Sequence, residues 1–395
     1  MASVASKDHP DRYSFTQQVA VTIVALAAMM PTVLQPLLLG ALVRSGRIDA
    51  VQLGQAATAE QLGMALTALC LGAWLPPTRL KPILFSALSL CAMANFATPL
   101  VSGDQVIVAR LMSGLSSGTG IWLITSVIAR VAMPARFMGI YVISQSITGL
   151  VFSAVLSIWL LPAFGGDGGL RAMAGFIVLA VLAVVAIPSS LSQLPKSSEG
   201  RMPSKPGLLG LLAVVLYMGS ALSIWTYVLP LASASGLAPD VANGTVSAGL
   251  AAQMLGGLAA TFARGWTAPK VLASCTIVEL AAVAAMSSTS LPILFIVAGA
   301  IFCFGLTLGI SFFIPFLEVL DPSRRAGTLC GGAQLLGQSF GVYCASLAVG
   351  RLGIYGSAYT GMMFLALVLA VSVISLALAR KLGAAGPAPV TDSLI

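Results

Sequence analysis

The chain has 395 residues, 58% of them hydrophobic and only 8% charged. Soluble domains carry about 25% charged residues, so this composition excludes a soluble enzyme, a nucleic-acid binder and a disordered chain. The net charge of +8 comes from twenty Lys and Arg against twelve Asp and Glu, thinly spread through apolar sequence in a way that suits membrane topology.

A bilayer-crossing helix needs about 20 mainly apolar residues. Spans are predicted near 18–43, 54–75, 82–100, 105–131, 137–162 and 168–188, then near 207–233, 242–263, 270–289, 291–319, 326–350 and 354–379. Clusters of Gly, Pro and charge separate them, among them Ser45–Asp49, Pro76-Pro77, Gly165–Gly169, Asp321-Pro322 and Gly353–Gly356. The first span holds Pro31 and Pro36 and is too long for a signal-peptide core, so it counts as structure. With both termini cytoplasmic, fifteen Lys and Arg fall inside, four (Arg44, Arg47, Arg171, Arg351) fall outside, and Arg110 lies within a span. The positive-inside rule favours that orientation.

The six cysteines (Cys70, Cys91, Cys275, Cys303, Cys330, Cys344) stand singly in apolar runs, and the only histidine, His9, lies in the polar N-terminal stretch. No zinc, haem or disulfide framework is expected. A GxxxxGK[ST] loop is absent, so ATP is not the direct driver. No cofactor is expected.

The polar stretch from Pro188 to Pro206 divides six spans from six. The expected organisation is an N-terminal bundle over 1–188, a cytoplasmic linker over 189–206 and a C-terminal bundle over 207–395. Pro134, Arg136, Gly139 and Gly149 have counterparts 188 residues later at Pro322, Arg324, Gly327 and Gly337. Repeated halves are a transporter signature.

Span 4 carries Arg110-Leu-Met-Ser-Gly114-Leu-Ser-Ser-Gly118, which resembles the R-x-x-x-G-x-x-x-G segment of the major facilitator superfamily. Trp225-Thr-Tyr-Val-Leu-Pro230 in span 7 and Gly165–Arg171 before span 6 are similar to its twelve-spanner drug:proton antiporters. Two segments depart from that pattern. The turn between spans 2 and 3, Gly72 to Lys81, lacks the usual aspartate, and span 5 has Gly149-Leu-Val-Phe-Ser in place of G-P-x-x-G-G. The resemblance implies an all-α membrane protein with twelve transmembrane helices in two pseudo-symmetric six-helix bundles. It also implies a monomer in a bacterial inner membrane that moves a small-molecule substrate with protons as coupling ion.

Charges inside a span cost roughly 2.5–3.5 kcal/mol even on insertion scales, so they are functional candidates by default. Arg110, followed at helical spacing by Ser113, Gly114 and Ser117, either orients a substrate, holds a carboxylate, or is a structural arginine. Glu60 in span 2 is placed to reach it, or else sits at an interface. Glu279, mid-span 9, has no charge partner in sequence and is a candidate protonated carboxyl. Together Glu60, Arg110 and Glu279 form the expected proton-coupling set. Gln35 lies between two prolines in an otherwise acid-free span 1. Gln35, Arg110, Trp122, Gln145, Trp225, Tyr227 and Phe312 form the expected substrate lining, although aromatic residues also pack as plain core. Arg130 and Glu318, again 188 residues apart, together with Arg136 and Asp321, suggest an ion-pair latch between the halves. The competing reading pairs Glu318 locally with Arg324. Proton-coupled efflux of small amphipathic or aromatic compounds is the favoured expectation; uptake of a small organic anion and a non-transporting sensor are the alternatives. No His/Asp/Glu cluster at an interface suggests an enzyme.

Overall fold

A computed structural model describes residues 13–74, 78–128, 130–131, 134–191, 202–263 and 265–383, without the side chains of residues 72–74, 134–136, 139 and 328. The expected linker centre, the Pro76-Pro77 turn, His9 and the Arg136 side chain therefore lie outside the described residues. Every regular element among those described is helical.

Span 1 is α1 (Phe15–Val33) and α2 (Gln35–Arg44), parted at Leu34. Pro36 has no N–H to continue the helical ladder, which is why the break falls there. Spans 2 to 4 are α3 (Ala50–Trp74), α4 (Leu80–Ala97) and α5 (Asp104–Ile128). Span 5 is α6 (Pro134–Val155) continued through a π-helical segment, Leu156–Leu160, into the start of α7 (Leu161–Val181), and span 6 is the part of α7 after Gly165. Spans 7 to 9 are α8 (Lys205–Ala234), α9 (Pro239–Phe262) and α10 (Ala268–Ser288). Span 10, expected as one rod, is α11 (Pro292–Ser311) and α12 (Phe313–Leu320), parted at Phe312 just ahead of Pro315. Spans 11 and 12 are α13 (Arg325–Leu352) and α14 (Tyr355–Lys381).

Among the described residues nine helices are long and apolar enough to cross a membrane. One of them, Ile140–Ala186, runs 47 residues and breaks at Gly165, where φ is 61°; only glycine takes that conformation readily. The helices α3 and α13 are 25 and 28 residues long but more polar, since they carry Glu60, Gln61, Gln334 and Gln338. Both are long enough to span, and with the two arms of the broken helix the described residues hold twelve helical segments of spanning length.

The turns alternate between two faces. The Arg47 guanidinium donates to the Pro99 carbonyl and, at 2.6 Å, to Asp167 Oδ2. The turns after spans 1, 3 and 5 thus share one face, here called the opposite face. Lys81 Nζ donates to the Val185 carbonyl at 2.8 Å, so the end of span 6 returns to the terminal face, where α1 starts. Positive charge at Arg47 is explained by this local tie, so it is no anomaly against the orientation rule.

Packing repeats between the halves. In the first, α3 and α4 pack on α5 and α4 packs on α7; in the second, α9 and α10 pack on α11 and α10 packs on α14. These are the same span pairs, six spans apart. Across the halves α3 packs on α13, α6 on α9 and α2 on α8. Hydrogen bonds among the described residues join the halves toward the opposite face: Thr226 Oγ1 to Gln35 Oε1 at 3.3 Å, Ser346 Oγ to the Val51 carbonyl at 2.9 Å, and Ser153 with Ser247 at 2.8 Å. Toward the terminal face, by contrast, open space flanks Gly331 and Gly332 on α13.

Candidate functional site

The site begins with a close helix crossing. A Cβ on Gly114 of α5 would run into the backbone of Glu60, and one on Gly63 of α3 would lie 2.8 Å from the Leu111 carbonyl. Small residues at this crossing let the two backbones touch. The contact brings the Glu60 side chain under Arg110, one helical turn before Gly114.

Both groups are fully buried, Glu60 at 0% and Arg110 at 1% exposure. Arg110 Nη1 lies 3.5 Å from Glu60 Oε1 and donates to Asn95 Oδ1 at 3.2 Å. Its Nη2 donates to Thr98 Oγ1 at 2.7 Å and to the Ala94 carbonyl at 3.4 Å. Ser113 donates to Glu60 Oε1 at 2.9 Å, and Gln35 Nε2 donates to Oε2 at 3.1 Å. The Gln35 carbonyl then accepts from Thr226 in α8. A single polar chain thus runs from Thr98 through Arg110, Glu60 and Gln35 into the other half. Gln35 stands at the α1/α2 break, where the two prolines of span 1 place it. Arg110 Nε and both amide atoms of Gln61 are buried beside this chain with no hydrogen-bond partner.

Glu279 forms a second, separate buried site. It is at 0% exposure, accepts from the Tyr217 hydroxyl, and has no partner for Oε2. The same hydroxyl lies 3.2 Å from the Gly305 carbonyl. One hydroxyl proton serves both acceptors, so neither is fully satisfied.

The remaining expected residues scatter. Trp122 is buried in the main core, and Gln145 is half-buried with its amide 3.5 Å from Tyr141 Oη. The Trp225 ring packs over Gly249 inside the second half. Tyr227 is buried at the join between halves, against Gly54 of α3. Phe312 is half-buried at the α11/α12 break. Glu318 pairs with Arg324 of its own half at 3.4 Å, with both side chains well exposed. Arg130 donates to the Ser126 carbonyl at 2.6 Å. Asp321 accepts from the Ala326 N–H at 3.0 Å and from Ser323 at 2.9 Å, capping the start of α13. Burial works to raise its pKa, but these donors outweigh that and hold its carboxyl below the usual range.

Sequence reasoning missed Asn95 on α4, Thr98 just after its end, and Tyr217 on α8. Cys91, Asn95 and Thr98 recur at helical spacing, and an intramembrane asparagine was the available signal. Tyr217 carried none, since an isolated tyrosine in a span reads as core.

No family model matches this sequence, and no curated protein aligns with it significantly. Solved structures do. The nucleoside transporter NupG superposes with a TM-score of 0.67 at 15% identity, covering 92% of this chain and 99% of its own. The chain has the major facilitator fold. The xylose transporter XylE from E. coli, in a partially occluded inward-open conformation, gives 0.65 at 11% identity over 93% and 97%. A bacterial homologue of the human lysosomal transporter Spinster, inward-facing and unoccupied, gives 0.61 at 12% over 95% and 100%.

Proposed function

We propose that this protein is a proton-coupled secondary transporter working by alternating access, exporting small amphipathic or aromatic compounds from a bacterial cell. The observation that carries the coupling is the buried chain Arg110–Glu60–Gln35–Thr226. Glu60 supplies the carboxylate of this hydrogen-bonded run, and its last link, Thr226, belongs to the other half. A proton arriving on Glu60 removes the charge that Arg110 and Gln35 both address. The tie from Gln35 to Thr226 then loosens where the halves meet. Arg110 has all its terminal nitrogens engaged inside this network, which suits holding a carboxylate better than anchoring an anionic solute. The halves joined at the opposite face, with cytoplasmic termini, correspond to an inward-open state. Export and a drug-like substrate rest on the resemblance of spans 4, 6 and 7.

The test is proton movement in sealed proteoliposomes under an imposed pH gradient, challenged with a chemically broad compound panel. A compound should collapse the gradient only when protein is present, and Glu60→Gln should abolish that signal. Labelled compound moving without proton flux, or proton flux surviving in Glu60→Gln, would remove Glu60 from coupling.

A further inference from the structure

A groove of about 480 Å³ opens on the second half where α9 turns into α10 at the terminal face. Its volume falls within the roughly 300–1,000 Å³ of sites that hold small ligands. The rim carries Trp266, Thr267 and Lys270, and the groove then runs along α10 and α11 past Val271 and Cys275 to Val278. Val271, Cys275 and Leu308 form a small apolar cluster set apart from the main core. The groove therefore has a cationic, aromatic end and a hydrocarbon end.

Its placement matches an amphiphile lying along the bilayer normal. From Lys270 to Val278 is eight residues, or about 12 Å of helix. That is close to one leaflet, half of a hydrocarbon core about 30 Å thick. Trp266 is 55% exposed, at the level where tryptophan settles among lipid headgroups. Lys270 is exposed, and no carboxylate among the described residues pairs with it. No described acidic side chain neutralises this cation, whereas a lipid phosphate at that depth would.

We propose that the groove binds one anionic membrane lipid, its phosphate held by the Lys270 ammonium beside Trp266 and one acyl chain lying on Val271, Cys275 and Val278. The site shares no residue with the chain Arg110–Glu60–Gln35–Thr226.

Native mass spectrometry of the full-length protein tests this, with phosphatidylglycerol and phosphatidylcholine of identical acyl chains as probes. Wild type should retain phosphatidylglycerol several-fold more than phosphatidylcholine. Lys270→Gln, a change at an exposed position, should abolish the preference. Val278→Trp, which fills the apolar end, should lower retention of both lipids. Equal retention of the two lipids by wild type, a preference that survives Lys270→Gln, or Val278→Trp without effect would each overturn the assignment. So would displacement of phosphatidylglycerol by soluble glycerol phosphate at equal concentration, since that marks a site for a free anion.

Discussion

Replacing Arg110 by alanine will destabilise the protein by about 3–5 kcal/mol, the usual cost of breaking a buried ion pair from one side. The loss goes beyond one Coulombic contact. Glu60, Asn95, Thr98 and the Ala94 carbonyl all address the guanidinium, and each is buried. Without it Glu60 keeps Ser113 and Gln35 but loses its counter-charge, and Asn95 Oδ1 loses its donor, at about 1–3 kcal/mol for an orphaned group before relaxation. Arg110→Lys will recover only part of this. A lysine ammonium is a point charge on a flexible stem, and it cannot present two terminal nitrogens in a fixed plane to acceptors on α3 and α4 together. Glu60→Gln with Arg110→Met removes both charges and should recover most of the melting temperature while leaving proton-coupled transport absent. Thermal melting followed by size-exclusion chromatography reads stability, and the proteoliposome assay reads coupling. An alanine variant that melts with wild type would mean that the pair is not energetically linked to the fold.

The parts of this fold readable in advance are those governed by bulk transfer energy. Span positions and the two-half division follow from apolar run lengths and from Lys and Arg counting, and α8 begins at Lys205 against an expected 207. The Glu60–Arg110 meeting was also readable, because two charges in neighbouring spans have few other places to go. What sequence did not disclose depends on which way a helix face turns. Trp225 and Tyr227 are two residues apart, yet one packs within its own half and the other between halves. Spacing of two puts residues on nearly opposite sides of a helix, and nothing in composition says which side meets the partner. Similarly, a carboxylate 188 residues from Arg130 suggested a cross-half latch, but Arg324 is six residues from Glu318 and holds it in this state. A local partner needs no rigid-body closure, so it is paired whether the halves are together or apart.

Gly54 is where closure of the opposite face can be broken by a single methyl. A Cβ there would overlap the Tyr227 hydroxyl and lie 2.7 Å from Ser346 Cβ, both on the other half. The clash exists only while the halves are joined, so Gly54→Ala should bias the protein toward the state open at that face. Overpacking costs about 1–3 kcal/mol, and each 1.4 kcal/mol is about tenfold in population. Gly54→Leu should trap the protein there and stop transport. Gly331→Ala is the control, since open space surrounds that position. Spin labels at Ser45 and Asp240, both exposed and on opposite halves, report the separation in a background without native cysteines. The Gly54 variants should lengthen that distance, Gly331→Ala should not, and Tyr227→Ala added to Gly54→Ala should shorten it again. Such rescue isolates the contact itself. An unchanged distance in Gly54→Leu would mean that the join between α3, α8 and α13 is not the moving seam. Gln35 and Thr226 would then be bonded in every state, and the chain from Glu60 could not transmit a proton's arrival to the other half.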